Sequence, residues 1–183
     1  MKKTMIISIS SISGGGKTSV INELKIRLPL SKAIYFDDYN FKDCPDDYFQ
    51  WVQNGADYNA WNLDILANDI NFLLSRANIS YILLDYPFAY KNDKLAHYID
   101  YAVFIDTPLD IAMARRIKRD LINKPSELLE EDLDSYLAGG RAAYLEMLKT
   151  IKPNSNFIID GSLSIDNIVF QIVEQIKNWV DKC

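Results

Sequence analysis

Hydrophobic residues fall along this chain in two alternating rhythms: short continuous runs, and longer stretches in which they recur every three or four positions. The runs at residues 5–9, 32–36, 79–84, 101–105 and 156–159 read as buried strands. Helical spacing holds over 18–27, and again through Leu63, Leu66, Ile70 and Leu73 or Leu74. Leu109, Met113, Ile117 and Leu121 lie one turn apart and predict another helix. Residues 126–150 read as helical with a break at Gly139-Gly140. Ile165, Ile168, Val169, Ile172, Val173, Ile176, Trp179 and Val180 give the last helix one wide apolar face. Strands alternating with helices predict an α/β fold, with a parallel sheet of about five strands covered on both sides. A length of 183 residues suits a single domain over 1–183, which would bury roughly 70% of its unfolded surface. There is no internal repeat and no low-complexity segment.

The stretch between the first strand and first helix, Ser11-Ile12-Ser13-Gly14-Gly15-Gly16, is too rich in glycine and serine to continue either element, and Lys17-Thr18-Ser19 follows it. Strand, glycine-rich loop and helix in this order make a phosphate cradle (the Walker A context). Backbone N–H groups turn inward, glycines allow close approach, and the helix N-terminus adds partial positive charge. The nucleotide-binding candidates are Ser13, Gly14, Gly15, Gly16, Lys17, Thr18 and Ser19, with Lys17 reaching the terminal phosphates and the Thr18 hydroxyl available to Mg²⁺. The first glycine of the usual spacing is here Ser11.

Each later strand ends in candidate chemistry. Asp37-Asp38-Tyr39 follows the second strand, at the sheet edge where ligands bind in open α/β folds. Residues 35–61 interleave aromatic rings with aspartates, a mixture that suits either a ring-stacking pocket or a core with capped turns; Asp37, Asp38 and Asp57 are the candidates taken from it. Asp85 ends the third strand, as a Mg²⁺-associated carboxylate or as the start of the Asp85-Tyr86-Pro87 turn. Arg115, Arg116, Lys118 and Arg119 crowd one helix. In a chain of net charge −5 and pI near 4.9, that favours a phosphate clamp over simple dipole compensation. The same acidity argues against a nucleic-acid partner. Cys44 and Cys183 suggest no disulfide framework and the lone His97 no metal spacing, so a reducing cytoplasm is expected. The apolar run after Met1-Lys2-Lys3 is diluted with serine and lacks a cleavage signal, and no stretch approaches a membrane span.

Ser13-Gly14-Gly15-Gly16-Lys17-Thr18, Asp37-Asp38-Tyr39, and Ile105-Asp106-Thr107-Pro108-Leu109-Asp110-Ile111 followed by Arg115-Arg116-Ile117-Lys118-Arg119-Asp120 together resemble the uridine kinase family. The likeness extends to Tyr136 and Arg141 and covers most of the chain, and the nicotinamide riboside kinases are similar too. It implies a three-layer P-loop NTPase fold with a helical lid near 115–141, ATP as phosphoryl donor, Mg²⁺, and a small-molecule acceptor such as a nucleoside. By that resemblance Asp37 accepts the proton of the attacking hydroxyl and Arg116 and Arg119 meet the ATP phosphates. Asp57 lies near a ribose-binding aspartate, and Asp38, Tyr39 and Arg141 complete the substrate side.

Three departures stand out. Lys124-Pro125-Ser126 replaces an Arg-Gly-Arg, and lysine neutralises charge without chelating bidentately. Asp85-Tyr86-Pro87 replaces a Glu-Gly. A β-hairpin of about two dozen residues that reads the pyrimidine in the family is missing, because only residues 75–78 separate helix from strand. Kinases for nicotinamide riboside, pantothenate or a sugar therefore stay open as alternatives, beside a nucleotide-dependent switch. No Asp-x-x-Gly follows the loop, which argues against a GTPase.

Overall fold

A computed structural model of the protein describes residues 4–181. Five strands, β1 (Met5–Ser10), β2 (Ser31–Tyr35), β3 (Tyr81–Asp85), β4 (Tyr101–Asp106) and β5 (Phe157–Asp160), form one sheet in the order β2-β3-β1-β4-β5. All four pairings are parallel; Ile7 of β1 lies opposite Leu83 of β3 on one side and Tyr101 of β4 on the other. The α/β sheet expected from the hydrophobic runs is therefore present, with strand ends shifted by a residue or two.

The central strand shows why its residues alternate as they do. Met5, Ile7 and Ile9 point to one face, where α1 (Lys17–Arg27) and α8 (Ile165–Val180) bury Val20, Ile21, Leu24, Ile168, Val169 and Ile172 against them. Ile6 points to the other, joining Ile82, Leu84 and Phe104 under α3 (Asp64–Leu74) and the aromatic cluster of Trp51, Tyr58, Trp61 and Phe88. Ser8 and Ser10 are fully buried too, and the Ser10 hydroxyl donates to the Tyr86 carbonyl at 2.8 Å. Buried hydroxyls tolerate this place because they find partners.

The remaining helices are α2 (Tyr48–Gln53), α4 (Asp93–Ala96), α5 (Leu109–Asp120), α6 (Ser126–Ser135) and α7 (Arg141–Thr150). Gly139-Gly140 does not break the helical path. A π-helical turn, Tyr136–Gly140, carries it from α6 into α7 with Gly140 at φ −58° and ψ −37°. Glycine serves packing here: a Cβ on Gly139 would lie 2.7 Å from Phe49 Cβ, so its absence lets α2 settle on this turn. Residues 75–80 return the chain from α3 to β3 with no intervening strand, in keeping with the missing hairpin. No helix among the described residues is long and apolar enough to cross a membrane. Cys183 lies outside the described residues.

Candidate active site

The loop between β1 and α1 is held from two sides. The Ser11 hydroxyl donates to the Ile105 carbonyl at 2.7 Å, and the Thr107 hydroxyl to the Gly15 carbonyl at 2.9 Å, so the end of β4 pins the loop at both flanks. Left-handed backbone is confined to Gly14 (φ 78°) and Gly16 (φ 102°) within it. Ser11 is not in that region, which explains why a serine can stand where the usual spacing has glycine. Gly14 also permits close approach, since a Cβ there would lie 2.1 Å from the Ala112 carbonyl oxygen of α5. Gly16 begins α1 without a side-chain cap and no acidic residue stands in the first turn, leaving the helix N-terminus open to an anion.

Lys17 is half-buried with its Nζ 3.4 Å from the Ser11 carbonyl. Burial pulls its pKa below the ordinary lysine value, while Asp85 and Asp37 act in the opposite direction. Asp85 is only 4% exposed and accepts a hydrogen bond from the Thr18 hydroxyl at 2.5 Å. Burial raises its pKa above the usual carboxylate range against the pull of Lys17 and the Thr18 bond, and the Asp37 and Asp38 charges push it further up. Both Mg²⁺ candidates, Thr18 and Asp85, are thus in direct contact. No group of three or more His, Cys, Asp or Glu able to hold a metal exists among the described residues. The oxygen pair fits Mg²⁺ in the way that ion is usually bound, by one or two protein oxygens together with substrate phosphates.

Two cavities meet at this point. One, of about 400 Å³, is walled by Ser13, Gly14, Gly16, Lys17, Thr18, Ser19, Asp37, Arg115 and Arg119. The other, of about 250 Å³, is walled by Phe36, Tyr48, Trp51, Trp61, Pro87, Phe88, Ala143, Tyr144 and Met147, with Ser11, Ser13, Lys17 and Asp37 at its polar end. Ser13, Lys17 and Asp37 border both. Asp37 sits in a 3₁₀ turn, Phe36–Asp38, that immediately follows β2 and leaves its carboxylate exposed. The aromatic walls interlock: Trp51 and Trp61 meet edge to face at 5.1 Å, and Trp61 lies 4.8 Å from Phe88.

No protein-family model matches the chain. A uridine kinase of Borrelia duttonii is 24% identical over 199 aligned positions, spanning 96% of this chain and 95% of its own. Because 199 exceeds the 183 residues here, that relative carries positions this chain lacks. The chain resembles the uridine kinases. Among solved structures, a possible uridine kinase from Bacillus stearothermophilus superposes with a TM-score of 0.57 at 13% identity, over 87% of this chain and 90% of its own. An unliganded sugar kinase from Janibacter gives 0.56 at 17%, over 97% and 95%. The fold is that of the P-loop kinases.

Set against the uridine kinase resemblance, the structure sorts the expected residues. The loop residues Ser13 to Ser19, excepting the inward-turned Gly15, line the larger cavity together with Asp37 and Arg119. Arg119 also forms a forked pair with its neighbour Asp120 at 2.6 and 2.7 Å. Arg116 differs from expectation. Its guanidinium is engaged by Asp132 of α6 at 2.9 and 2.6 Å and lies over the Tyr136 ring, while Arg115 takes the place on the cavity wall. Asp57 caps the turn Tyr58–Ala60, accepting from the Asn59 amide at 2.9 Å, and lines neither of the two cavities. Tyr39 turns away to donate to Asp69 of α3 at 2.5 Å. Asp38 and Arg141 are exposed and line neither cavity. Of the aromatic stretch 35–61, Phe36, Tyr48, Trp51 and Trp61 reach the smaller cavity. Phe88 and the α7 residues Ala143, Tyr144 and Met147 escaped the sequence reading, since nothing local marks a helix more than eighty residues away as the opposite wall.

Proposed function

We propose that this protein is an ATP-dependent phosphotransferase acting on a hydroxyl of a small, ring-bearing metabolite, the class to which nucleosides and sugars belong. The observation that carries the reading is that Lys17 and Asp37 stand at the shared border of two cavities, one walled by the glycine-rich loop and two arginines and one aromatic. The triphosphate lies in the larger cavity with its terminal phosphate at Lys17 and the N-terminus of α1. The acceptor lies in the smaller one with its hydroxyl at Asp37. In the transfer step the acceptor O–H gives its proton to the Asp37 carboxylate and its oxygen bonds to the γ-phosphorus. The bond from that phosphorus to the bridging oxygen breaks, and ADP leaves with the electron pair. Such a reaction asks for in-line placement and charge neutralisation more than for covalent chemistry. Lys17, Arg115 and Arg119 spread the charge, and Thr18 and Asp85 would hold Mg²⁺, which would supply further charge neutralisation at the phosphates.

Residues 115–141 act as the lid of a single kinase domain, and the Arg116–Asp132 pair anchors its two helices to each other. Closure excludes water, the competing acceptor.

The test is an acceptor screen with Mg²⁺-ATP over nucleosides, nicotinamide riboside, pantothenate, sugars and simple ring alcohols, with phosphorylated products detected by mass. Asp37→Asn should lower kcat by about 10²–10⁴ while leaving ATP affinity nearly intact. The carboxylate is exposed and makes no hydrogen bond among the described residues, so its loss should not lower stability. A variant with normal kcat would remove Asp37 from the mechanism. ATP hydrolysis that no acceptor accelerates would favour a nucleotide switch instead.

A further inference from the structure

The smaller cavity has a size and a polarity, and together they narrow what it receives. Its volume is about 250 Å³. A closed cavity of roughly 150 Å³ holds one benzene, so the walled part of this cleft, which opens to solvent and to the larger cavity, encloses about ten non-hydrogen atoms. A nucleoside, with a second ring and its hydroxyls, exceeds that by roughly two thirds. The wall is crowded because α2 folds across it. Tyr48 and Trp51 come from that short helix, and it is seated by the bare Gly139 against Phe49.

Charged groups are confined to one end, and the Ser13, Tyr48 and Tyr144 hydroxyls and the Trp61 indole are the remaining polar groups of the wall beside Ser11 and Trp51. Lys17 and Asp37 are the charged residues of the wall, and both belong to the border with the phosphate cavity. The Ser11 hydroxyl is already committed to the Ile105 carbonyl, and the Trp51 indole N–H donates to the Asp57 carbonyl at 2.9 Å. Asp57, the expected ribose anchor, points into its own turn. With Ser11 and Trp51 committed, the wall keeps only the Ser13, Tyr48 and Tyr144 hydroxyls and the Trp61 indole N–H beside its charged end for the several hydroxyls of a sugar or ribose, and each hydroxyl buried without a partner costs about 1–3 kcal/mol. Among the described residues no second cation lines the cavity to receive an anionic group. Trp61, Phe88 and Phe36 instead line it with aromatic, apolar surface.

We propose that the acceptor is an alcohol borne on a single flat, weakly polar ring, smaller than a nucleoside. This rests on the reading above that the smaller cavity receives the acceptor, and it follows the same transfer step.

Trp51 and Trp61 line the cavity, and Trp179 lies on α8 against Tyr101, so a Trp179→Phe background confines tryptophan emission to the site and one or both of its walls. Emission is titrated with benzyl alcohol, 3-pyridinemethanol, ribose and uridine, and the same compounds are incubated with Mg²⁺-ATP and assayed by mass for phosphorylated product. The expected result is that a ring alcohol binds at least tenfold tighter than uridine or ribose and is the compound phosphorylated. Met147→Ala, which widens the cavity, should shrink that preference. Equal or tighter binding of uridine or ribose overturns the inference, and phosphorylated uridine alone would overturn it while leaving the kinase reading intact. Binding of the ring alcohols with no product from any acceptor would uphold the cavity's ligand class and sink the kinase reading. Absence of binding by both ring alcohols overturns the inference outright.

Discussion

Adding a single methyl group to the phosphate loop separates two reasons for its glycines. At Gly14 an alanine meets two penalties. The backbone sits at φ 78°, where a Cβ costs about 1–2 kcal/mol. The new carbon would also lie 2.1 Å from the Ala112 carbonyl oxygen and 3.0 Å from its carbon, both in the backbone of α5. Neither atom can rotate away, so loop and helix must separate by more than an ångström, and overpacking of this kind costs a further 1–3 kcal/mol or so. At Gly16 the backbone is again left-handed, φ 102°, but an added Cβ meets nothing within 4 Å. Gly16→Ala should therefore cost about 1–2 kcal/mol and Gly14→Ala about 2–5 kcal/mol. At roughly 2–4 °C per kcal/mol for a chain of this size, the two variants should lose about 2–8 °C and 4–20 °C respectively. The assay is thermal unfolding of each variant without nucleotide and then with Mg²⁺-ATP. Gly14→Ala should also lose most of the ATP-induced rise in Tm, because the displaced helix carries Arg115 and Arg119 with it. Equal unfolding temperatures for the two variants would refute the close contact between loop and α5.

Lys17→Met should abolish transfer yet leave the nucleotide-free protein as stable as the wild type or more so, since burial disfavours the charge it removes; a clear fall in Tm would mean that attraction to Asp85 outweighs burial. The raised pKa of Asp85 has a definite sign. Its contribution to stability is present below the ordinary carboxylate range and is lost as the pH rises through the raised value. The stability of Asp85→Asn relative to wild type should therefore improve as the pH climbs from about 4 toward neutral, and denaturant unfolding at several pH values checks this. Gly139→Ala would force Phe49 and α2 away from the π-helical turn, so acceptor KM should rise several-fold with ATP KM unchanged; steady-state kinetics with each substrate varied in turn would show it.

Local sequence determined the glycine-rich loop, because a strand, a glycine-rich turn and a Lys-Thr at a helix start interact within twenty residues. It also determined the strands and their parallel pairing, through continuous apolar runs separated by helices. It placed Asp37 at the C-terminal edge of the sheet, because a residue just after a parallel strand has nowhere else to be. Tertiary packing decided the rest. Arg116 leaves α5 with its Cβ near the loop, but its guanidinium is captured by Asp132, sixteen residues on, while Arg115 lines the larger cavity. Asp57 satisfies a turn amide where a ribose was expected. Gly139 and Gly140, helix breakers by local propensity, stay on the helical path, and at Gly139 the missing Cβ makes room for Phe49 of α2. The smaller cavity closes only when α2 meets α7, elements nearly a hundred residues apart. Which rings become wall and which become core depends on that meeting, and no local pattern encodes it.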